Sequence, residues 1–105
     1  MKDLLAPWVS IASEQQRRSL EEELSREIGP DHVLAGKTTR ALARRSDRDD
    51  VLFETAGLGF AVVHLTWSGH REVTAGWPRT ELFSSLDEWR AKRMNRDHEE
   101  KDTGA

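Results

Sequence analysis

The clearest pattern in the chain is a helical spacing of apolar positions near the N-terminus. Apolar residues recur every four positions among charged ones, at Leu20, Leu24 and Ile28. This spacing is typical of an amphipathic helix with a narrow buried stripe. Ser13 is an N-cap residue with Gln16 as its reciprocal partner. Gly29 can supply a left-handed cap and Pro30 cannot continue a helix, so we predict a helix over residues 14–28.

The middle of the chain has the composition and alternation of β-strands. Segments 51–55 and 60–67 are rich in β-branched and aromatic residues. The glycines between them can take the positive φ angles of a tight connection, so the two segments predict an antiparallel hairpin. One parity of the second strand is wholly apolar and is expected to face the helices: Ala61, Val63, Leu65 and Trp67. An earlier strand is predicted over residues 38–45, although its centre, residues 41–43, is equally compatible with a helix.

The periodicity disappears after residue 69 and returns as a second helix signal near the C-terminus. Residues 68–77 are predicted to form a surface loop. An N-cap box follows in two alternative pairings, Ser84 with Asp87 or Ser85 with Glu88. The helix that it begins is predicted to reach about Arg96, and the polar tail 97–105 is predicted to be frayed.

These elements predict an α+β fold in the order α-β-β-β-α. The apolar residues 4–12 are interpreted as the lead-in to the first helix. A small antiparallel sheet must cover its apolar face, so the N- and C-terminal helices are expected to pack on the same face. The length of 105 residues fits one domain, with an ordered core over about residues 8–96. A chain of this size is also compatible with a homo-oligomer.

Composition excludes several classes of protein. The chain has no cysteine, which excludes disulfide frameworks, thiolate nucleophiles and cysteine-ligated zinc. No apolar run approaches the roughly 20 residues of a membrane span. Asp3 stands where a signal peptide needs positive charge, and Pro7 and Ser10 interrupt the apolar run. We therefore expect a cytoplasmic protein that does not associate with membranes.

One segment of the chain is basic. Residues 37–48 carry five basic side chains and one acidic one, and an extended arm of this kind could follow a phosphate backbone. The whole chain nevertheless has a net charge of −3, and no aromatic residue is interleaved in the segment to stack on bases. Basic side chains on an edge strand also prevent edge-to-edge pairing. The segment is therefore predicted to be structural, and nucleic acid is not an expected partner.

Most catalytic and metal-binding motifs are missing. The glycines of residues 57–59 join two strands and lack the third glycine of a dinucleotide fingerprint. The phosphate-binding loop and the G-x-S-x-G nucleophile elbow are absent as well. None of the four histidines has the spacing of a metal-ligand pair: His32, His64, His70 and His98. We predict no metal and no other cofactor.

His64, Trp77 and Arg79 are the candidate binding residues. His64 occupies an internal position on the partly polar parity of the second hairpin strand, and the other two lie in the loop that follows. His64 would supply a polar floor, Trp77 a flat apolar contact and Arg79 a charge-assisted donor. We expect the three side chains to rim a groove on the sheet face away from the helices.

The contact between Glu54 and His64 depends on the register of the hairpin. If Thr55 pairs with Phe60, Glu54 joins the face of Ala61, whereas if Thr55 pairs with Ala61, Glu54 lies beside His64. The sequence leaves both registers open. In the second register the carboxylate would favour the imidazolium form of His64.

Two segments carry a resemblance to known sequences. The residues His-Leu-Thr-Trp-Ser-Gly at 64–69 and Trp-Pro at 77–78, with the strand at 49–54, resemble a small uncharacterised bacterial protein family. The resemblance covers roughly residues 13–98. It implies a bacterial cytoplasmic protein and transfers no catalytic residue.

The sequence leads to two functional hypotheses. The first is a non-catalytic binding or regulatory module whose partner is another protein or a small molecule, because every catalytic pattern fails and a tryptophan lies in a loop. The second is a small enzyme in which His64 or His70 acts with a carboxylate as an acid–base pair, the candidates being Glu54, Asp49 and Asp50. A concave pocket with convergent polar groups would favour the enzyme, and a flat apolar patch would favour the module.

Overall fold

One antiparallel sheet contains every strand of the described chain. The structure is a computed structural model that describes residues 1–70 and 76–103, the last three by their backbone alone. In chain order the elements are β1 Trp8–Ser10, α1 Glu14–Glu27, β2 Thr39–Arg45, β3 Asp50–Thr55, β4 Gly59–His64, β5 Thr80–Phe83, and a C-terminal helix made of α2 Leu86–Trp89, the π-helical turn Arg90–Met94 and α3 Asn95–Thr103. The strands lie in the order β1-β2-β3-β4-β5. The α+β class is as predicted, with two more strands than expected.

Helix α1 begins as the sequence predicts and ends differently. The hydroxyl of Ser13 accepts a hydrogen bond from the backbone N–H of Gln16, and the Gln16 side chain accepts one from the N–H of Ala12. At the other end, Ile28 has φ −74° and ψ 118°, so the backbone is already extended there. Gly29 is not among the glycines with positive φ. The predicted left-handed glycine cap is therefore wrong, because the helix ends at Glu27 and the chain is already extended at Ile28, the residue before Gly29.

The predicted hairpin is confirmed as β3 and β4, and the strand before it as β2. In the hairpin Thr55 pairs with Gly59, Glu54 with Phe60 and Asp50 with His64. This register is neither of the two that the sequence left open, because the turn is shorter than both required. Gly57 at its tip has φ +80°, the left-handed conformation that favours glycine.

The sheet is covered on both faces, which corrects the prediction that the two helices share one face. On the α1 face, the helix contributes Leu20 and Leu24 to a cluster with buried strand residues of one parity: Val51, Phe53, Ala61, Val63 and Leu65. On the opposite face, the C-terminal helix contributes Trp89 and Met94 to a second cluster with Trp8, Ala43, Leu52, Val62 and Phe83. Consecutive apolar residues in β3 and β4 are explained by this burial on both sides.

A β-bulge in β2 distributes its alanines between the two faces. Ala41 pairs with Phe53 and Ala43 pairs with Leu52, so the intervening Leu42 is an extra residue on this strand. In a regular strand, residues two apart share a face. Because of the bulge, Ala41 joins the cluster under α1 and Ala43 joins the opposite one.

The C-terminal helix extends beyond the predicted end. Ser85 caps it by accepting from the N–H of Glu88, the second of the two predicted pairings. The helix continues through Thr103, and Asp97 is only 1% exposed. The prediction of a frayed tail from residue 97 is therefore wrong for the helical residues. The apolar stripe faded there because the buried residues on this side of the helix are charged, Arg93 and Asp97.

The segments that connect the predicted elements contain two short strands, and one predicted facing needs correction. The apolar lead-in before α1 contains the short edge strand β1, and the segment before the C-terminal helix contains β5. Trp67 lies beyond the end of β4 with φ +58° and is 48% exposed, so it is not part of the core under α1, although it lines a small cavity beside that helix with Ser19 and Leu20. Leu65 faces α1 as predicted and is fully buried. The predicted loop 68–77 lies partly outside the described residues.

Candidate functional site

His64, Trp77 and Arg79 line one cavity of about 620 Å³. His64 ends β4, and the other two precede β5, which pairs with β4. The backbone N–H of His64 also donates to the carbonyl of Arg79 over 2.9 Å, so the two strand ends are fixed together. Arg93 and Arg96 of the C-terminal helix line the same cavity. The groove therefore lies away from α1 but beside the second helix, not on a helix-free face as predicted.

His64 forms a close pair with Asp50 across the hairpin. The pairing of these two residues in the register places His64 Nδ1 2.6 Å from Asp50 Oδ1. Asp50 is buried, whereas the His64 side chain is nearly half exposed. Because Nδ1 is engaged, Nε2 is the ring nitrogen left for a ligand. Of the predicted carboxylates, Asp50 is therefore the partner of His64, and Glu54 pairs with Phe60 at the far end of the hairpin.

The remaining predicted acid–base candidates lie elsewhere. Asp49 lines a second cavity, of about 190 Å³, and its backbone carbonyl accepts from the N–H of Leu65. His70 is exposed after β4, and its carbonyl accepts from the hydroxyl of Ser68. Neither residue lines the cavity of His64.

Arg93 is the centre of the charged network behind the cavity, and sequence reasoning missed it. Its guanidinium contacts three carboxylates: Asp50, Glu81 at 2.8 Å and Asp97 at 2.9 Å. The π-helical turn carries this side chain onto the sheet. Asp50 thus accepts from Arg93 on one oxygen and contacts His64 with the other. Its charge is compensated even without protonation of the imidazole.

A second buried carboxylate extends the network to the N-terminal strand. Asp97 Oδ2 accepts from Trp8 Nε1 at 2.8 Å and lies 3.3 Å from Arg45 Nη1. Arg45 in turn makes two hydrogen bonds of 2.9 Å to Asp47. Burial alone would lower the pKa of Arg45, but the hydrogen bonds to Asp47 and the charge of Asp97 outweigh it and raise that pKa. The same hydrogen bonds lower the pKa of Asp47.

His32 supports the edge of the cavity from outside. This buried residue accepts from the N–H of Leu34 through Nδ1, so its Nε2 carries the proton and can donate to the carbonyl of Pro78, 2.9 Å away. The hydroxyl of Thr80 lies 3.1 Å from the same nitrogen. No local pattern reveals this role, because the contact joins residues 46 positions apart.

Two arginines that line the cavity form no ion pair with a carboxylate of the described residues. The guanidinium of Arg79 lies 5.6 Å from the centre of the Trp77 ring, a cation–π contact. Within the described ranges, neither Arg48 nor Arg79 has a carboxylate within 4.0 Å, whereas Arg93 and Arg96 do. Two guanidinium groups and one half-exposed indole are therefore available to a ligand.

Other kinds of site find no support in the described parts of the chain. No three side chains among the described histidines and carboxylates come together as a metal site. No helix in those ranges is long and apolar enough to cross a bilayer. Comparison with protein-family models, curated proteins and solved structures gave no significant match.

Proposed function

We propose that this protein is a non-catalytic binding module whose cavity takes an anionic ligand with a flat apolar part. The observation that carries the proposal is the pair Arg48 and Arg79, which have no carboxylate partner among the described residues and line the cavity together with Trp77. Guanidinium groups form the strongest hydrogen bonds with anions, and an indole face accepts a planar group. A cavity of about 620 Å³ is large enough for a small molecule.

The surroundings of His64 support binding over catalysis. Its partner Asp50 is also held by Arg93, so this carboxylate is shared between the imidazole and a guanidinium and is not devoted to orienting His64. Thr80 is the one hydroxyl-bearing side chain among the described lining residues. Its hydroxyl donates to the carbonyl of Pro78 and lies beside His32, so it is not oriented as a nucleophile.

Isothermal titration calorimetry with phenyl phosphate tests the proposal. Phenyl phosphate should bind more tightly than inorganic phosphate, because only the former offers a ring to Trp77, and neutral phenol should bind more weakly than either. Arg79→Ala should weaken binding of phenyl phosphate about tenfold, the loss of one charge-assisted contact. The matched control is Arg18→Ala, which removes an exposed arginine of α1 outside the cavity. Equal losses in the two variants would contradict the proposal.

A second candidate function rests on the 2.6 Å contact between Asp50 and His64. Such a contact orients an imidazole and fixes which nitrogen faces a reactant, as in an acid–base pair. The discriminating experiment measures hydrolysis of p-nitrophenyl acetate and p-nitrophenyl phosphate by the wild type and by His64→Gln. The binding module predicts no turnover above that of the buffer. Turnover that His64→Gln abolishes would support the enzyme instead.

A further inference from the structure

Two exposed tryptophans, Trp67 and Trp77, lie at the same end of the sheet. Trp67 follows the end of β4 and Trp77 precedes the start of β5, and they are 48% and 42% exposed. Strands β4 and β5 are antiparallel neighbours, so the end of one lies beside the start of the other. Tryptophan is highly buried on average, so two half-exposed rings at the same end of the sheet are candidates for contact with a ligand.

Arginines from separate parts of the chain surround the two rings. Trp67 lines the second cavity together with Arg44 and Arg48, and Trp77 lines the first together with Arg48 and Arg79. The second cavity lies on the α1 face of the sheet, with Leu20 and Val51, and the first lies on the opposite face, with Val62. Because Arg48 lines both, the two cavities meet at the turn between β2 and β3. This end of the sheet therefore carries an aromatic ring and an arginine on each face, with Arg48 common to both: Trp67, Arg48, Trp77 and Arg79, called the tryptophan–arginine edge below.

We propose that the tryptophan–arginine edge binds a short stretch of single-stranded nucleic acid. Single strands are recognised by aromatic rings that stack on bases and by cations that follow the backbone. Arg48 lines a cavity with each ring, so a strand that passes around this end of the sheet would place one base on each face and a phosphate near Arg48. The proposal rests on the proposed function, since the first cavity would hold one nucleotide, and it extends the ligand into the second cavity.

This proposal reverses the expectation drawn from the basic segment 37–48. That expectation relied on the absence of an aromatic residue within the segment. The fold supplies the aromatics from other segments, 19 and 29 positions beyond Arg48. The acidic net charge remains, and Asp49 lines the second cavity with Arg48. We therefore expect few phosphate contacts, about two, and a shallow dependence on salt.

Quenching of tryptophan fluorescence by (dT)4, with dTMP as the single-nucleotide probe, tests the proposal. Stacking should quench the two exposed indoles, and (dT)4 should bind at least about tenfold more tightly than dTMP because it contacts both rings. Trp67→Leu and Trp77→Leu should each weaken (dT)4 binding at least about fivefold. The matched control is Leu82→Ala, which removes an exposed apolar side chain outside both cavities.

Salt dependence gives a second, independent readout. With two phosphate contacts, the logarithm of the (dT)4 binding constant should fall with the logarithm of salt concentration with a slope of about −1.4. Arg48→Ala should reduce the slope by about 0.7, whereas Arg18→Ala should leave it unchanged. (rU)4 measured in parallel shows whether the strand is RNA or DNA, and binding of either supports the proposal.

The outcomes separate this proposal from the proposed function. If phenyl phosphate binds but (dT)4 and (rU)4 bind no better than mononucleotides, the strand proposal is overturned and the binding module stands. If hexaglutamate displaces (dT)4 at equal concentration, charge alone is recognised and the partner is an acidic peptide, which also overturns it. If neither phenyl phosphate nor any oligonucleotide binds, both proposals fail.

Discussion

At the scale of single residues, two buried carboxyl groups of α1 hold the chain that leaves β4. Glu27 accepts from the backbone N–H groups of Thr66 and Trp67, and Glu23 accepts from that of Gly69. Both side chains are almost fully buried. These contacts fix Trp67 in its left-handed conformation beside the second cavity. Carboxyl groups of α1 thus determine where one ring of the tryptophan–arginine edge stands.

The pair also predicts a dependence of stability on pH. Burial, and then the hydrogen bond shared with Glu23, raises the pKa of Glu27 above its ordinary value of 4.5, whereas that same bond lowers the pKa of Glu23. A raised pKa in the folded chain means that Glu27 contributes stability below pH 4.5, which is lost as the pH rises through the folded pKa.

Glu27→Gln tests this contribution, because the amide keeps an acceptor and a donor but cannot ionise. The free energy of unfolding of the variant, relative to that of the wild type, should increase as the pH is raised from below 4.5 towards neutrality. Urea denaturation at several pH values measures it. The control is Glu22→Gln, an exposed carboxylate of the same helix. A difference from wild type that stays constant with pH for Glu27→Gln would contradict the assignment.

At the scale of elements, the start of β4 lies unusually close to the end of β5. A Cβ atom on Gly59 would lie 2.6 Å from the carbonyl oxygen of Phe83 and 3.2 Å from that of Ser84, and the residue has φ +84°. Gly57 has a similar φ of +80° but no atom within 4 Å of a Cβ. Both glycines therefore adopt a positive φ that disfavours other residues, but only Gly59 also lies too close to the β5 backbone for a Cβ atom.

The pair of variants Gly57→Ala and Gly59→Ala separates these two effects. Gly57→Ala should cost about 1–2 kcal/mol in the free energy of unfolding, the strain of a left-handed alanine. Gly59→Ala should cost clearly more, because backbone atoms of β5 must move as well. Urea unfolding measures both, and calorimetry with phenyl phosphate should show weaker binding only for Gly59→Ala. Equal losses in the free energy of unfolding would mean that β5 moves away from the added Cβ at no cost, which would contradict this prediction.

Some of the elements can be predicted from the sequence and others cannot. Long periodic segments with caps, α1 and the central hairpin, are predictable because their pattern repeats over several turns or pleats. Strands β1 and β5 have only three and four residues, too few to display any period. The assignment of faces failed because β3 and β4 are apolar at both parities, which signals burial on two sides. The bulge at Leu42 leaves no mark in the sequence at all.

The sequence indicates which three side chains share the cavity, but not which residues they contact. His64, Trp77 and Arg79 were singled out from strand parity and loop position, and they line one cavity. The contact between His64 and Asp50 depends on the hairpin register, and a shift of the register by one residue would abolish that contact. Arg93 and His32 contribute through contacts between distant segments, and no local rule identifies such contacts.

At the scale of the whole molecule, one buried charged network joins the two ends of the chain. Asp97 Oδ2 accepts from Trp8 of β1 and Arg93 of its own helix and lies 3.3 Å from Arg45 of β2. The rings of Trp8 and Trp89 meet edge to face, with centroids 5.1 Å apart. Through Arg93 the network continues to Asp50 and so to the cavity. We therefore expect the seating of the C-terminal helix and the shape of the cavity to be coupled.

Asp97→Asn tests how much the fold depends on this carboxylate. The asparagine oxygen can still accept from Trp8, but two buried guanidinium groups lose a shared negative charge. Removing one partner of a buried ion pair typically costs about 3–5 kcal/mol, because the remaining charge is left uncompensated. Arg93 keeps Asp50 and Glu81, and Arg45 keeps Asp47, so we expect a loss near the lower end, about 3 kcal/mol.

Urea unfolding of Asp97→Asn beside Asp31→Asn, an exposed carboxylate outside the network, measures this loss. The exposed substitution should change the free energy of unfolding by less than about 0.5 kcal/mol. If both variants unfold alike, Asp97 is not the charge that holds the C-terminal helix to β1 and β2. Binding of phenyl phosphate to Asp97→Asn is then measured at a temperature where both proteins are folded. If the destabilised variant also binds the ligand more weakly than wild type, the network transmits the position of Arg93 to the ligand site. That second result is expected, because Asp97 fixes the Nε edge of Arg93 while Asp50 and Glu81 lie on its other side.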